Sequence, residues 1–190
     1  MIGRTHAMGG ILAGELLLLA GAESGGAVPS GILLAAAAAG SLVPDIDHTG
    51  STVSRSSVVS RMVSFGVSAF SEHRRFFHTP LCLAVAALIL AVLNKAFGIP
   101  YFRPAFIGFT AGYLSHLLLD SLNPTGIMWL YPFSKKQYRA AKIRTNTAQE
   151  IPVRLILTAA IIAIPCAEFS GEIQNFVKNP SFRNIIEFIS

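Results

Sequence analysis

The residues able to do chemistry fall in four short stretches of histidine and aspartate. The clearest is His116-Leu117-Leu118-Leu119-Asp120. Helical residues four apart share a face, so this imidazole and carboxylate can converge on one ion while the leucines turn to lipid or to neighbouring helices. A mutual His–Asp hydrogen bond that only ties helices together is the plainer use of the same pair. In Val43-Pro44-Asp45-Ile46-Asp47-His48, Pro44 biases Val43 away from helix. The expectation is an extended exit in which Asp45 and Asp47 point the same way and share a cation, with His48 beside them as ligand or proton carrier. His73-Arg74-Arg75-Phe76-Phe77-His78 holds two imidazoles about 140° apart on an ideal helix, so they converge more easily from a loop or a helix start. Arg74 and Arg75 between them suit bidentate contact with phosphate or carboxylate. His6, just ahead of the first apolar stretch, is by itself only a polar flank.

The elements that must position these groups are set by an apolar composition. Of 190 residues, 52% are hydrophobic and 13% charged, where a soluble domain carries roughly 25% charge. Mean hydropathy is +0.56. Disorder is excluded, and there is too little polar surface to wrap one large soluble core. The reading is an all-α, polytopic membrane helix bundle of about five spans, at 8–22, 27–43, 79–97, 104–122 and 151–167, each near the short limit for crossing ~30 Å of hydrocarbon. The first contains Glu15 and imitates a cleavable signal peptide, but cleavage would discard His6, so the segment is expected to stay. Residues 1–170 form the membrane domain with polar loops at 44–78 and 123–150, Ser54 to Phe70 reads as an interfacial helix, and 171–190 as a short amphipathic tail. Ala35 to Ala39 reads as a close helix-packing surface. Cys82 and Cys166 both lie in apolar runs and read as small core hydrophobes rather than as a disulfide or thiolate metal site.

Lys and Arg give a topology independent of any motif. With the N-terminus inside, Arg4, Arg55, Arg61, Arg74, Arg75, Lys135, Lys136, Arg139, Lys142 and Arg144 are cytoplasmic, against Lys95, Arg103, Lys178 and Arg183 outside. The positive-inside rule favours this arrangement, with the N-terminus in and the C-terminus out. His6, His48, His73, His78 and His116 then share the cytoplasmic side with Asp45, Asp47 and Asp120, while Glu23 and Glu168 lie on the other. The net charge of +5 is explained by orientation, and by anionic headgroups at the basic run 135–144, without nucleic acid.

Five His and three Asp at one membrane face exceed what one ion needs and suit a two-metal centre. Such a centre acidifies water, polarises a phosphoryl or acyl oxygen and clamps attacking and leaving groups. The donor mixture favours Zn²⁺, with Mn²⁺ or Fe²⁺ compatible. The function expected is a membrane metal-dependent hydrolase that cleaves a phosphoester of a lipid or lipid-linked substrate. Asp47 or His73 manages the proton, Arg74 and Arg75 hold phosphate, and Asn123 joins them in substrate binding. The alternatives are a metal-ion transporter, disfavoured because the acids other than Glu15 lie at segment ends, and a non-catalytic membrane adaptor that uses the basic run.

Thr5-His6 with Gly9-Gly10, the block from Gly40 to His48, the block from His73 to Thr79 and the block from Gly112 to Gly126 closely resemble, in order, the YdjM/YbcI family of bacterial and archaeal inner-membrane proteins. The resemblance runs from about residue 1 to 133 and implies a metal-dependent hydrolase. It implies ligands at His6, Asp45, Asp47, His78, His116 and Asp120, with His48 and His73 as further ligands or proton shuttles. Arg75 and Phe77 stand where that family has Gly and Thr, which leaves the histidines intact. A fainter likeness is to zinc-dependent phospholipase C.

Overall fold

The computed structural model describes residues 1–47 and 74–178, with the side chains of 46, 47, 74, 75, 169 and 172–178 outside that description. The chain is helical: α1 (Gly3–Leu19), α2 (Ala27–Gly40), a 3-10 turn (Val43–Asp47), α3 (Arg74–Phe77), α4 (Pro80–Phe97), α5 (Phe102–Asp120), a second 3-10 turn (Ala148–Glu150) and α6 (Ile151–Lys178). Among the described residues there is no strand, only an isolated antiparallel bridge between Ile127 and Tyr138. The expected interfacial helix at 54–70 lies outside the described residues.

Local chemistry sets the boundaries. The Thr79 hydroxyl accepts from Cys82 N at 3.2 Å and Pro80 takes the first helical position, so α4 starts where its free amides are capped or absent. At its other end Gly98 takes the left-handed conformation that closes a helix without Cβ strain. The stretch at 43–47 corrects the expectation of an extended chain. Asp45 N bonds back to Leu42 O at 3.3 Å, and a proline near the start of a 3-10 turn loses no needed donor. With three residues per turn, Asp45 and Asp47 are not directed alike by the backbone.

Three segments are long and apolar enough to cross a membrane on length and composition alone: Ala27–Asp45, Pro80–Phe97 and Ala148–Glu168. The other two long helices, α1 and α5, pack against each other and against α2 and carry the buried polar residues. Their inner faces, packed on neighbours, need not be apolar, while Leu16, Leu19, Leu114 and Leu118 are exposed on their outer ones. On α4 and α6, Leu88, Val92, Ile156 and Ile162 are exposed, as a lipid-facing surface requires.

The centre is built on close backbone approach. A Cβ at Gly108 or Gly112 would meet the carbonyls of Leu33 and Ala37, and one at Gly40 the carbonyl of Phe109. The alanine run of α2 is thus the packing surface expected of it, with Ala37 fully buried. Cys82 is buried beside Tyr113, Leu117 and Ile127, whereas Cys166 is exposed on α6 and is not a core residue. Helix α6 passes residue 171, where the tail was expected to begin, without a break.

The helices alternate in direction. The starts of α1, α4 and α6 and the ends of α2 and α5 meet at one end of the bundle, through contacts such as Thr5–Glu150 and His116–Ser41. At the other end Arg103 Nη2 donates to Ala22 O at 3.3 Å and Nη1 lies 3.9 Å from Glu23. Glu23 and Arg103, both expected on the far side, are found there together.

Candidate metal centre

Four elements deliver five ligand-type side chains to one small volume. His6 comes from the first turn of α1, Asp45 from the 3-10 turn after α2, His78 from the turn between α3 and α4, and His116 and Asp120 from the last turns of α5. Donor atoms of His6, His116 and Asp120 lie within 4.8 Å of one another, as do those of Asp45, His78 and His116. His6 Nε2 is 3.2 Å from Asp120 Oδ1, and His116 Nε2 is 3.3 Å from Asp120 Oδ2. His78 Nε2 is 3.4 Å from Asp45 Oδ1 and 3.6 Å from Asp120 Oδ2. The i, i+4 spacing of His116 and Asp120 therefore does what helical geometry predicts.

The arrangement fits a cation better than a self-contained hydrogen-bond network. His116 and His6 are fully buried and their rings stack at 3.7 Å between centroids. Among the described residues, neither His6 ring nitrogen nor His116 Nε2 has a hydrogen-bond partner, a costly state for buried polar atoms unless something else binds them. Burial holds the His6 imidazole below the ordinary histidine pKa, opposed by the neighbouring Asp120 carboxylate and reinforced by the charge of His116. A neutral imidazole is the form that ligates a metal. His116 Nδ1 lies 2.7 Å from the Ser41 carbonyl, so with the proton on Nδ1 the Nε2 lone pair faces the cluster. That single lone pair serves one ion. The two groups share it, so the five described donors make one site. The side chains of Asp47, Arg74 and Arg75, and the whole of His48 and His73, lie outside the described residues.

Several supporting residues carry no motif signal. Asn123 Nδ2 donates to Asp120 Oδ1 at 2.6 Å, and the Met1 amino nitrogen lies 2.8 Å from the same oxygen. Asn123, expected to bind substrate, thus orients a ligand carboxylate, with its own Oδ1 buried and unpartnered. The Tyr113 hydroxyl donates to the Phe77 carbonyl and fixes the backbone ahead of His78. Glu150, 1% exposed, accepts from Thr5 Oγ1 at 2.6 Å, Ile2 N at 2.9 Å and Asn146 N at 2.8 Å. It clamps the turn of α1 that presents His6 to the start of α6. No motif in the sequence marks Glu150. Loss of an outer-shell partner typically costs 10–100-fold in metal affinity, so Glu150→Ala is expected to weaken Co²⁺ binding by about that factor. Glu150→Gln, which keeps an acceptor oxygen for Thr5, should recover most of it. Competition titration with a chromophoric chelator reads both.

Beside the cluster lies a cavity of about 350 Å³, with His78 and Asp120 on one wall and Thr125–Met128 and Gln137 on the other. The loop forming that second wall is pinned down. Ile127 and Tyr138 exchange backbone hydrogen bonds at 2.9 and 2.8 Å, Ala140 N bonds to Ser121 O and Ile143 N to Leu122 O, both at 2.8 Å.

The chain matches, over residues 1–179, the family described as YdjM inner membrane protein. It is 32% identical over 161 residues to YvsG of Bacillus subtilis (strain 168), described as uncharacterized, covering 84% of this chain and 91% of that one. It is 37% identical over 109 residues to the inner membrane protein YdjM of Escherichia coli (strain K12), covering 55% of this chain and 48% of that one, so it matches about half that relative's length. No solved structure matches. These names give a membrane location and neither an activity nor a metal. With the apolar helices and the match over residues 1–179 taken together, the chain is a membrane protein belonging to the YdjM family of inner membrane proteins.

Proposed function

We propose that the protein is a divalent-metal-dependent hydrolase acting at the cytoplasmic face of the inner membrane on a phosphoester of a lipid or lipid-linked molecule. The observation that carries this reading is the convergence of His6, Asp45, His78, His116 and Asp120 on one volume, with buried imidazole nitrogens that have no hydrogen-bond partner among the described residues. A bound divalent cation, Zn²⁺ for this donor mixture with Mn²⁺ and Fe²⁺ the alternatives, supplies Lewis acidity toward a phosphoryl oxygen and toward water. The five donors hold it, the Ser41 carbonyl and Asn123 amide orient two of them, and the adjoining cavity gives the substrate headgroup a seat beside His78 and Asp120. Asp47 and His73 are assigned to proton handling and Arg74 and Arg75 to the phosphate oxygens, from residue type and place in the chain. The cytoplasmic orientation rests on the distribution of Lys and Arg.

The test is incubation of detergent-purified, metal-loaded protein with phospholipid, polyprenyl-phosphate and water-soluble phosphodiester panels. Metal-dependent release of product from at least one lipid substrate is expected. Loaded protein that releases nothing from all three defeats the proposal.

A further inference from the structure

The loop from Pro124 to Ile143 covers the cavity, and its tip carries the most exposed large hydrophobic side chain among the described residues. Phe133 is 95% exposed and Leu130 52% exposed, between the anchored Ile127 and the lysines at 135 and 136. Floppiness does not explain this exposure. The loop is tied to itself by the Ile127–Tyr138 bridge, to the end of α5 by Ala140 and Ile143, and to the core by Ile127. Trp129 Nε1 adds a bond to Ser121 Oγ at 3.2 Å. A fixed strap thus holds an apolar tip away from the protein.

Charge identifies what the tip meets. From Ser121 to Gln149 there are five basic residues, Lys135, Lys136, Arg139, Lys142 and Arg144, and no acidic one. All five are exposed. The strap sits at the end of the bundle where α6 begins, and there Ile151 and Leu155 are exposed too, so the apolar surface of the spans continues to the level of the strap. An aromatic and aliphatic tip flanked by lysines, level with the end of the spans, has the chemistry of the headgroup layer of an anionic leaflet.

We infer that the strap is seated in the anionic leaflet, with Leu130 and Phe133 in its interfacial layer and Lys135 and Lys136 on its headgroups, so that an amphiphile's headgroup passes sideways from that leaflet into the cavity beneath. The seating stands on the strap alone. The passage of substrate rests on the hydrolase reading above.

The chain has a single tryptophan, so the doubly substituted Trp129→Phe, Phe133→Trp protein carries one fluorophore at the tip. In vesicles of phosphatidylcholine and phosphatidylglycerol its emission should be quenched by lipids labelled near the carbonyls and protected from aqueous iodide. Wild-type Trp129, in the same strap, should be quenched by the same shallow label, which covers the case of a misfolded variant. Free access of iodide with no quenching by labelled lipid overturns the seating, and self-association of the tip in place of lipid contact does the same. Phe133→Asp should retain bound metal yet lower the ratio of long-chain phospholipid cleavage to cleavage of bis-p-nitrophenyl phosphate by about tenfold, since apolar burial sets the strength of interfacial attachment. An unchanged ratio overturns the sideways passage. A wild type that seats the strap but cleaves neither substrate refutes the hydrolase reading and with it the passage, leaving the seating established.

Discussion

His116→Ala is expected to reduce bound metal in the detergent-purified protein from about one equivalent per chain to near zero, with affinity falling by more than about 100-fold. Its Nε2 serves both donor groups, and among the described residues no other side chain belongs to both. The carbonyl of Ser41, 2.7 Å from Nδ1, holds the ring so that this nitrogen faces the cluster. Outer-shell losses alone reach about 100-fold, so removal of the shared ligand should exceed that. Elemental analysis of wild type and variant side by side reads the effect. Glu15→Gln, nine residues beyond His6 on α1, serves as control and should keep its metal. Metal content unchanged in His116→Ala overturns the site. A second equivalent in wild type would place another ion on Asp47, His48 and His73.

The parts of this centre that could be read in advance are those that depend on short-range periodicity or on membrane sidedness. His116 and Asp120 face one ion because four residues make about one helical turn, whatever else the chain does. His6, Asp45 and His78 come from segments far apart in sequence, and were placed together only by sorting basic residues to one face. The extended exit expected at Asp45–Asp47 is a 3-10 turn instead, because a proline suits a 3-10 start as well as an extended exit and a backbone bond to Leu42 decides between them. The Glu150 clamp joins groups 145 and 148 residues apart, and nothing near a carboxylate at a helix start announces a partner at that distance. The strap was legible only as part of the polar loop 123–150 with its basic run at 135–144. Its return onto Ser121 and Leu122 is a tertiary event.

Span count shows the same division. Composition identified a helical membrane bundle, yet α1 and α5, which bear the site, are less apolar than α2, α4 and α6. Function explains the difference. Buried imidazoles and carboxylates must sit on helix faces turned into the bundle, and the helices that carry them lose the hydropathy by which a span is recognised.

Gly112→Val is expected to destabilise the bundle by about 3 kcal/mol, the upper part of the range for overpacking, because the obstacle is backbone. A Cβ at residue 112 meets the carbonyl, carbonyl carbon and Cα of Ala37, none of which can rotate aside. Helices α2 and α5 would have to separate, and in lipid their association depends on just this close approach rather than on a hydrophobic drive. For a chain of this size the loss corresponds to a fall in Tm of about 10 °C in detergent. Gly31→Ala, on the exposed face of α2 with nothing within 4 Å of its new Cβ, should leave Tm level or raise it slightly. The two substitutions add side-chain bulk within the same helix pair, so a difference between them reports the contact and not glycine content. Gly112 also lies one turn ahead of His116 on α5, and Ala37 one turn ahead of Ser41 on α2, so a shift that relieves the clash stretches the His116–Ser41 hydrogen bond. Metal affinity should therefore fall together with Tm in Gly112→Val, whereas a fall in Tm with full metal retention would show that the centre is held by the strap and Glu150 and not by the α2–α5 contact.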